Sequence, residues 1–298
     1  MKSKTVQATI AALMAQFIFG FSFMFTKIAL KYASPLTVIA DRYIVAFLTL
    51  TIVMIFRKVN IRFSKNILKL LLMSIFQPVL YFLFESYGIE MTTSGFSSVM
   101  ISLIPVVSMF GGILFLKEYP APLQYVFTVL SVLGVIIMAT SGKLDGTVTT
   151  WGIIFLFGAV VSSVAYNIMS RKISGEFSAL ERTYAMTLIG LITFVSIAFF
   201  ENMKNPVEIV SNFSFLPYTF SILYLGVISS VVAFLFLNYA NTHLPVAKTT
   251  VFSNITTVVS VTAGILFLDE KFSIETVISA IMIVVGVWGV QVLSVKKR

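Results

Sequence analysis

The stretch Val106–Met138, VVSMFGGILFLKEYPAPLQYVFTVLSVLGVIIM, returns 152 positions later at Val258–Val290 as VVSVTAGILFLDEKFSIETVISAIMIVVGVWGV. Nine of its first 13 positions are identical, among them the run Gly112 to Leu116 against Gly264 to Leu268. Phe82, Leu83, Phe84 and Tyr87 reappear at the same offset as Phe234, Leu235, Phe236 and Tyr239. Nearer the start of each copy the offset is 140: Asp41-Arg42 falls on Glu181-Arg182, Lys31 on Arg171 and Phe17 on Phe157. A repeat of this length divides the chain into two copies of one unit, residues 1–140 and 150–298.

The nature of the unit follows from its solvent. Charged residues make up 11% of the chain and hydrophobic ones 58%, against about 25% charged in soluble domains. The apolar runs are about 20 residues long, enough to cross about 30 Å of hydrocarbon as helix. Ten helices are expected, at 7–30, 35–56, 67–88, 92–116, 121–140, 150–170, 179–200, 215–238, 245–267 and 272–293. Pro35, Pro120, Pro122, Pro206 and Pro245 fall between helices or at their starts, where a missing N–H costs little. The apolar run from Ala8 to Leu30 is long for a signal peptide and reads as a retained first helix.

The fold class is thus an all-α membrane protein of ten transmembrane helices. Five helices per copy is an odd number, so the second copy must enter the membrane from the opposite side. The halves form inverted repeats. With the N-terminus inside, 14 Lys and Arg fall in inside segments and five in outside ones, namely Lys27, Lys31, Lys143, Lys204 and Lys271. That bias puts both termini in the cytoplasm, in a multi-pass protein of the plasma membrane. The basic stretch from Arg57 to Lys69 is expected on the anionic cytoplasmic surface.

Several function classes are excluded. There is no cysteine and one histidine, His243, so disulfides, thiolate metal sites and histidine clusters are out. The net charge of +9 reads as topology and lipid contact, not nucleic-acid binding. No phosphate-binding Gly-rich loop is present, so no ATP-driven motor is encoded. No catalytic constellation at membrane depth is found and no cofactor is called for.

Charge in hydrocarbon costs about 2.5–3.5 kcal/mol per residue on insertion scales, so each buried charge needs a reason. Gln77, Tyr81, Glu85 and Gly88 share one stripe of helix 3. A carboxylate on such a stripe suits proton coupling or a cationic solute group; alternatively Glu85 sits near the outer interface, solvated or paired with Lys27 or Lys31. Lys248, after Pro245, opens a helix rich in hydroxyls and amides that includes Asn254. It either binds a carboxylate or phosphate or snorkels to the cytoplasmic interface. Arg42 is either a ligand-binding cation or an outer-interface charge with Asp41 as partner. Gln16, Tyr166 and Asn238 either line a cavity or bond helix to helix, at about 0.6 kcal/mol each. Glu118 and Glu270 read as structural acids at helix ends.

GILFLKE and GILFLDE end helices 4 and 9, a Tyr-x-x-x-x-x-Thr pattern starts helix 4 with Pro105 within it, Phe19-Gly20 lies in helix 1, and Pro35 is followed by Arg42-Tyr43 in helix 2. Together these features resemble the EamA family of the drug/metabolite transporter superfamily. The resemblance spans both repeats. It implies a ten-helix carrier of small metabolites with a central cavity lined by helices 1, 3, 4, 6, 8 and 9, and helices 5 and 10 at the periphery. Two departures stand out. Thr257 answers Pro105, and helix 1 carries no acidic residue.

The expected function is a secondary active transporter, an exporter of a small solute such as an amino acid, working by alternating access and open to proton coupling. Its partners are the solute and the lipid bilayer, and a monomer is favoured. A non-transporting scaffold or sensor is the alternative, with an intramembrane enzyme behind it.

Overall fold

The computed structural model describes residues 2–57, 66–119, 121–141, 148–201, 203, 212–268, 274–293 and 296–297. Much of the basic 57–69 stretch lies outside the described residues, as do Gly142, Lys143, Gly146, Lys204, Glu270 and Lys271. Among the described residues ten long helices run in chain order: α1 (Lys2–Ala29), α2 (Pro35–Arg57), α3 (Ile67–Glu90), α4 (Ser94–Phe115), α5 (Pro122–Ser141), α6 (Thr150–Lys172), α7 (Ala179–Glu201), α8 (Leu216–His243), α9 (Val246–Val251 and Ser253–Leu268) and α10 (Ile274–Val292). Seven of them, α1–α4 and α6–α8, are long and apolar enough to cross a membrane; Ile255–Leu268 and Val277–Gly286 are shorter apolar helices. Large side chains such as Phe56, Leu114, Leu216 and Ile274 stand almost fully exposed. In water such a surface would aggregate; in hydrocarbon it meets its own kind. The one extended pairing among the described residues joins Glu118–Tyr119, just after α4, to Lys296–Lys297 near the chain end.

Three of the long helices are not continuous, which the length argument did not anticipate. In α3 the stretch Ile75–Leu80 widens to π-helix, and Gln77 leaves helical geometry altogether at φ −146°, ψ 113°. The cause is Pro78, which pushes the residue before it toward extended backbone and removes an N–H from the ladder. In α8 the widened stretch is Tyr224–Ala233, and position 77 shifted by 152 is Ser229, inside it. In α4, Ser94–Ile101 gives way to a second segment, Ile104–Gly111, with Pro105 in its first turn. The Thr257 that answers Pro105 instead uses its hydroxyl, which donates to Ser98 O of α4 at 3.0 Å.

Basic side chains close the ends of α3 and α8. Lys27 Nζ donates to the carbonyls of Ile89 (2.9 Å) and Thr92 (2.6 Å). Arg171 Nη1 donates to those of Asn241 (3.0 Å) and Thr242 (2.6 Å). Ile89 and Asn241 stand at the 152 offset, so both halves use a cation from the end of their first helix to satisfy the last carbonyls of their third. Elsewhere, Lys69 and Asn66 donate to Glu176, tying the start of α3 to the α6–α7 turn. These donors hold the exposed Glu176 carboxyl below the usual carboxylate range. That contact persists at neutral pH and is lost as pH falls through the lowered pKa.

Helices α5 and α10 pack chiefly on each other, the peripheral position the resemblance implied. Their approach depends on missing side chains. A Cβ on Gly286 would stand 2.6 Å from Phe127 O and 2.7 Å from Ser131 N, both main-chain atoms that cannot yield. Gly286→Ala should therefore lower the thermal unfolding midpoint in detergent, by the equivalent of about 1–3 kcal/mol. Gly175→Ala, with nothing within 4 Å, should leave it unchanged; equal midpoints for both variants would refute the close-packing account.

Candidate functional site

A cavity lined by both polar and apolar side chains opens between the two halves where the helices are broken. Its volume is about 50 Å³. The first half contributes Gln16 from α1, Arg42 from α2 and Gln77, Tyr81, Phe82 and Glu85 from α3. The second contributes Ser163 and Asn167 from α6, Ser229 and Phe234 from α8, and Thr250, Ser253 and Thr256 from α9. Helix breaks belong here for a physical reason: in hydrocarbon, irregular backbone is tolerated only where protein or a cavity receives its polar groups. Gln77 and Ser229, at matching points of the two widened stretches, both line the wall.

Among the described residues, Arg42 and Glu85 are the charged ones that line the cavity. Arg42 is 3% exposed and Glu85 6%. Arg42 Nε donates to Ser230 Oγ at 2.7 Å and Nη2 to Ser229 Oγ at 2.9 Å, while its guanidinium lies 4.0 Å over the Phe82 ring. Ser229 Oγ also accepts from Ser22 of α1 at 2.8 Å. Glu85 Oε1 accepts from Tyr81 Oη at 2.7 Å. The two charges are within electrostatic reach of one another without forming a direct ion pair. Among the described residues, Arg42 Nη1 and Glu85 Oε2 have no protein hydrogen-bond partner. Gln16 Oε1 is taken up by Thr256 at 2.8 Å. Gln77 Oε1 is buried and unmatched.

The structure thus brings Gln16, Arg42, Gln77, Tyr81 and Glu85 together. Arg42 is not an outer-interface charge held by Asp41. Asp41 accepts from Tyr218 Oη of α8 at 2.5 Å, leaving Arg42 free to turn inward and adding α2 to the lining helices. Tyr166 and Asn238 do not line this cavity. They belong to a second buried cluster, built around Arg182, which is fully buried. Asn238 Oδ1 accepts from Tyr166 Oη (2.9 Å) and Ser170 Oγ (2.8 Å). Arg182 donates to Asn238 O and Ser170 O, each at 2.9 Å, and to the hydroxyls of Ser170 and Thr242, each at 2.5 Å. Lys248 and Asn254 lie on α9, but their side chains fall outside the described residues; their neighbours Thr250 and Ser253 line the cavity.

Sequence reasoning missed Ser229, Ser230 and Phe82 as lining and Arg182 as the centre of the second cluster. Pro78 was the available signal for a broken α3. No comparable signal marks Ser229 and Ser230, whose role depends on Arg42 reaching them 187 and 188 residues away. Among the described residues no group of three or more His, Cys, Asp or Glu is placed to hold a metal ion.

The Asp41–Tyr218 bond yields a stability prediction. Tyr218→Phe leaves a buried carboxyl without its donor and should destabilise the protein by about 1–3 kcal/mol. Tyr239→Phe, which loses only an exposed bond to Gln7 at 3.2 Å, should stay within about 0.5 kcal/mol of the parent. Thermal midpoints in detergent check this, and equal losses would count against it.

Comparison with known proteins agrees with this architecture. The profile of the EamA-like transporter family matches residues 7–140 and again residues 150–292. The uncharacterized transporter YcxC of Bacillus subtilis (strain 168) is 32% identical over 304 aligned positions, covering 99% of this chain and 96% of that protein. An uncharacterized transporter of Archaeoglobus fulgidus is 24% identical, covering 94% of this chain and 95% of its own length. One crystal structure of a protein only 13% identical superposes with a TM-score of 0.73 over 96% of this chain and 99% of that one, a likeness of fold. On the strength of the matched profile and of YcxC, this multi-pass membrane protein belongs to the EamA-like transporter family.

Proposed function

We propose that the chain is a secondary carrier that exports a small zwitterionic metabolite, of the size and charge pattern of an amino acid, by alternating access of two inverted five-helix repeats. The observation that carries this reading is the pair of opposite charges in one cavity. Arg42 keeps one nitrogen, and Glu85 one oxygen, unmatched by protein among the described residues. A solute with its own carboxylate and ammonium satisfies both. The apolar wall formed by Phe19, Phe82, Ile104 and Phe234 suits an uncharged side chain between them.

Both halves supply the lining, so a relative movement of the halves changes the cavity's access without dismantling it. Inverted repeats allow that movement because each copy holds one of two packings and the copies exchange them. With no ATP-binding loop in the sequence, the driving force is a gradient of solute or protons. Glu85 is the group placed to couple protons: it is the buried carboxyl of the cavity, it has one donor in Tyr81, and it feels the charge of Arg42. Proton loading and solute loading then compete for the same oxygen pair.

Two measurements test the reading. A thermal-shift screen of purified protein against amino acids, amines, sugar phosphates and nucleosides should show stabilisation by a zwitterion, absent in Arg42→Gln. Stabilisation by none of the zwitterions would exclude that solute class. In proteoliposomes, Glu85→Gln should abolish the pH dependence of flux and weaken zwitterion binding; a pH profile like the parent's would end the proton-coupling part of the proposal.

A further inference from the structure

Gln77 is 4% exposed and its side-chain oxygen has no hydrogen-bond partner. A buried amide acceptor without a protein partner is costly and calls for an explanation. Position 77 corresponds at the 152 offset to Ser229, which is not orphaned, because Arg42 Nη2 donates to it at 2.9 Å. Arg42 corresponds at the 140 offset to Arg182. The two interfaces concerned are both formed: α2 packs on the widened stretch of α8, and α7 packs on the widened stretch of α3. In one interface the arginine reaches across to the partner stretch. In the other it is turned away, toward Ser170 of α6 and Asn238 and Thr242 of α8.

We infer that Arg182 is a second cavity cation, engaged in only one of the carrier's two states. When the halves exchange packings, Arg182 leaves Ser170 and Thr242 and donates to Gln77, while Arg42 withdraws from Ser229. The inference rests on the alternating-access reading given above. The exchange does not strand Arg182 in hydrocarbon, since one state gives it hydroxyl and backbone acceptors and the other the Gln77 amide oxygen. It also offers Arg182 an aromatic face. Phe82, under Arg42 at 4.0 Å, corresponds at the 152 offset to Phe234, which lines the same cavity. The acceptors left behind are partly covered: Thr242 Oγ1 already donates to Asn238 O at 2.9 Å. The solute would then meet a cation from the first half in one state and from the second half in the other.

The absence of cysteine makes the test direct. A single Ser163→Cys on the cavity wall is labelled with a membrane-impermeant maleimide from each face of oriented vesicles. Gln77→Glu gives Arg182 a charged acceptor and should shift the ratio of labelling from the two faces by about tenfold. Adding Arg182→Gln should abolish that shift. Should Arg182→Gln fail to fold, Thr242→Val serves instead. It removes one acceptor from the cluster, should move the ratio in the same direction as Gln77→Glu, and should lose that effect when combined with Gln77→Leu. A shift that survives without Arg182, or ratios left at the parent value by Gln77→Glu and Thr242→Val, overturns the inference while leaving the carrier reading intact. Labelling of Ser163→Cys from one face only, with or without an imposed solute gradient, overturns alternating access itself and the inference with it.

Discussion

Two guanidinium groups buried inside a bundle that faces hydrocarbon set the terms for everything packed around them. A charged side chain at membrane depth costs several kcal/mol unless polar groups replace its hydration. Around Arg42 and Arg182 those groups come from serine and threonine hydroxyls, backbone carbonyls and one aromatic face. Carboxylates are not the main partners. Asp41, beside Arg42 in the chain, is held by Tyr218 instead. Neutral acceptors can be exchanged at small net cost, whereas a desolvated ion pair is expensive to separate.

The same requirement explains where the helices break. Pro78 forces Gln77 out of helical geometry, and the matching stretch of α8 widens without a proline. Widened turns of this kind cluster at functional sites because they redirect side chains that a regular helix would point elsewhere. Here they turn Gln77 and Ser229 toward the cavity. Hydroxyls on α9 then do for backbone groups what they do for the arginines: Thr256 donates to Gln16 O and Thr257 to Ser98 O. Around this polar centre the contacts become dry. Aromatic pairs such as Tyr43–Phe194 and Phe19–Phe234 pack around it, and glycines admit α10 against α5.

Much of this was legible in the residues. The ten expected helices agree with the observed ones to within a few residues at most ends, because apolar runs in a membrane have few alternatives to helix. The stripe of Gln77, Tyr81 and Glu85 could be read from spacing alone, since residues four apart share a helix face. Arg42 could be read as an expensive charge, with a ligand-binding role and an outer-interface place both open. The choice depended on whether Asp41 or α8 claimed it, and Ser229 and Ser230 of α8 lie 187 and 188 residues away. For Tyr166 and Asn238 a cavity lining and a bond between helices stood equal, and the structure shows the bond, Tyr166 to Asn238 at 2.9 Å: a polar face on a membrane helix indicates a polar neighbour without saying which one.

Composition and periodicity alone determined that the chain is helical and membrane-bound. They also determined that it is built twice over from one pattern, because hydrocarbon punishes unpaired backbone and a repeat is visible as letters. Only the tertiary structure decided which polar residues meet. That selection arises from contacts between helices far apart in the chain, at distances of 2.5–3.0 Å, and a shift of one helical turn would have given every one of those side chains a different partner.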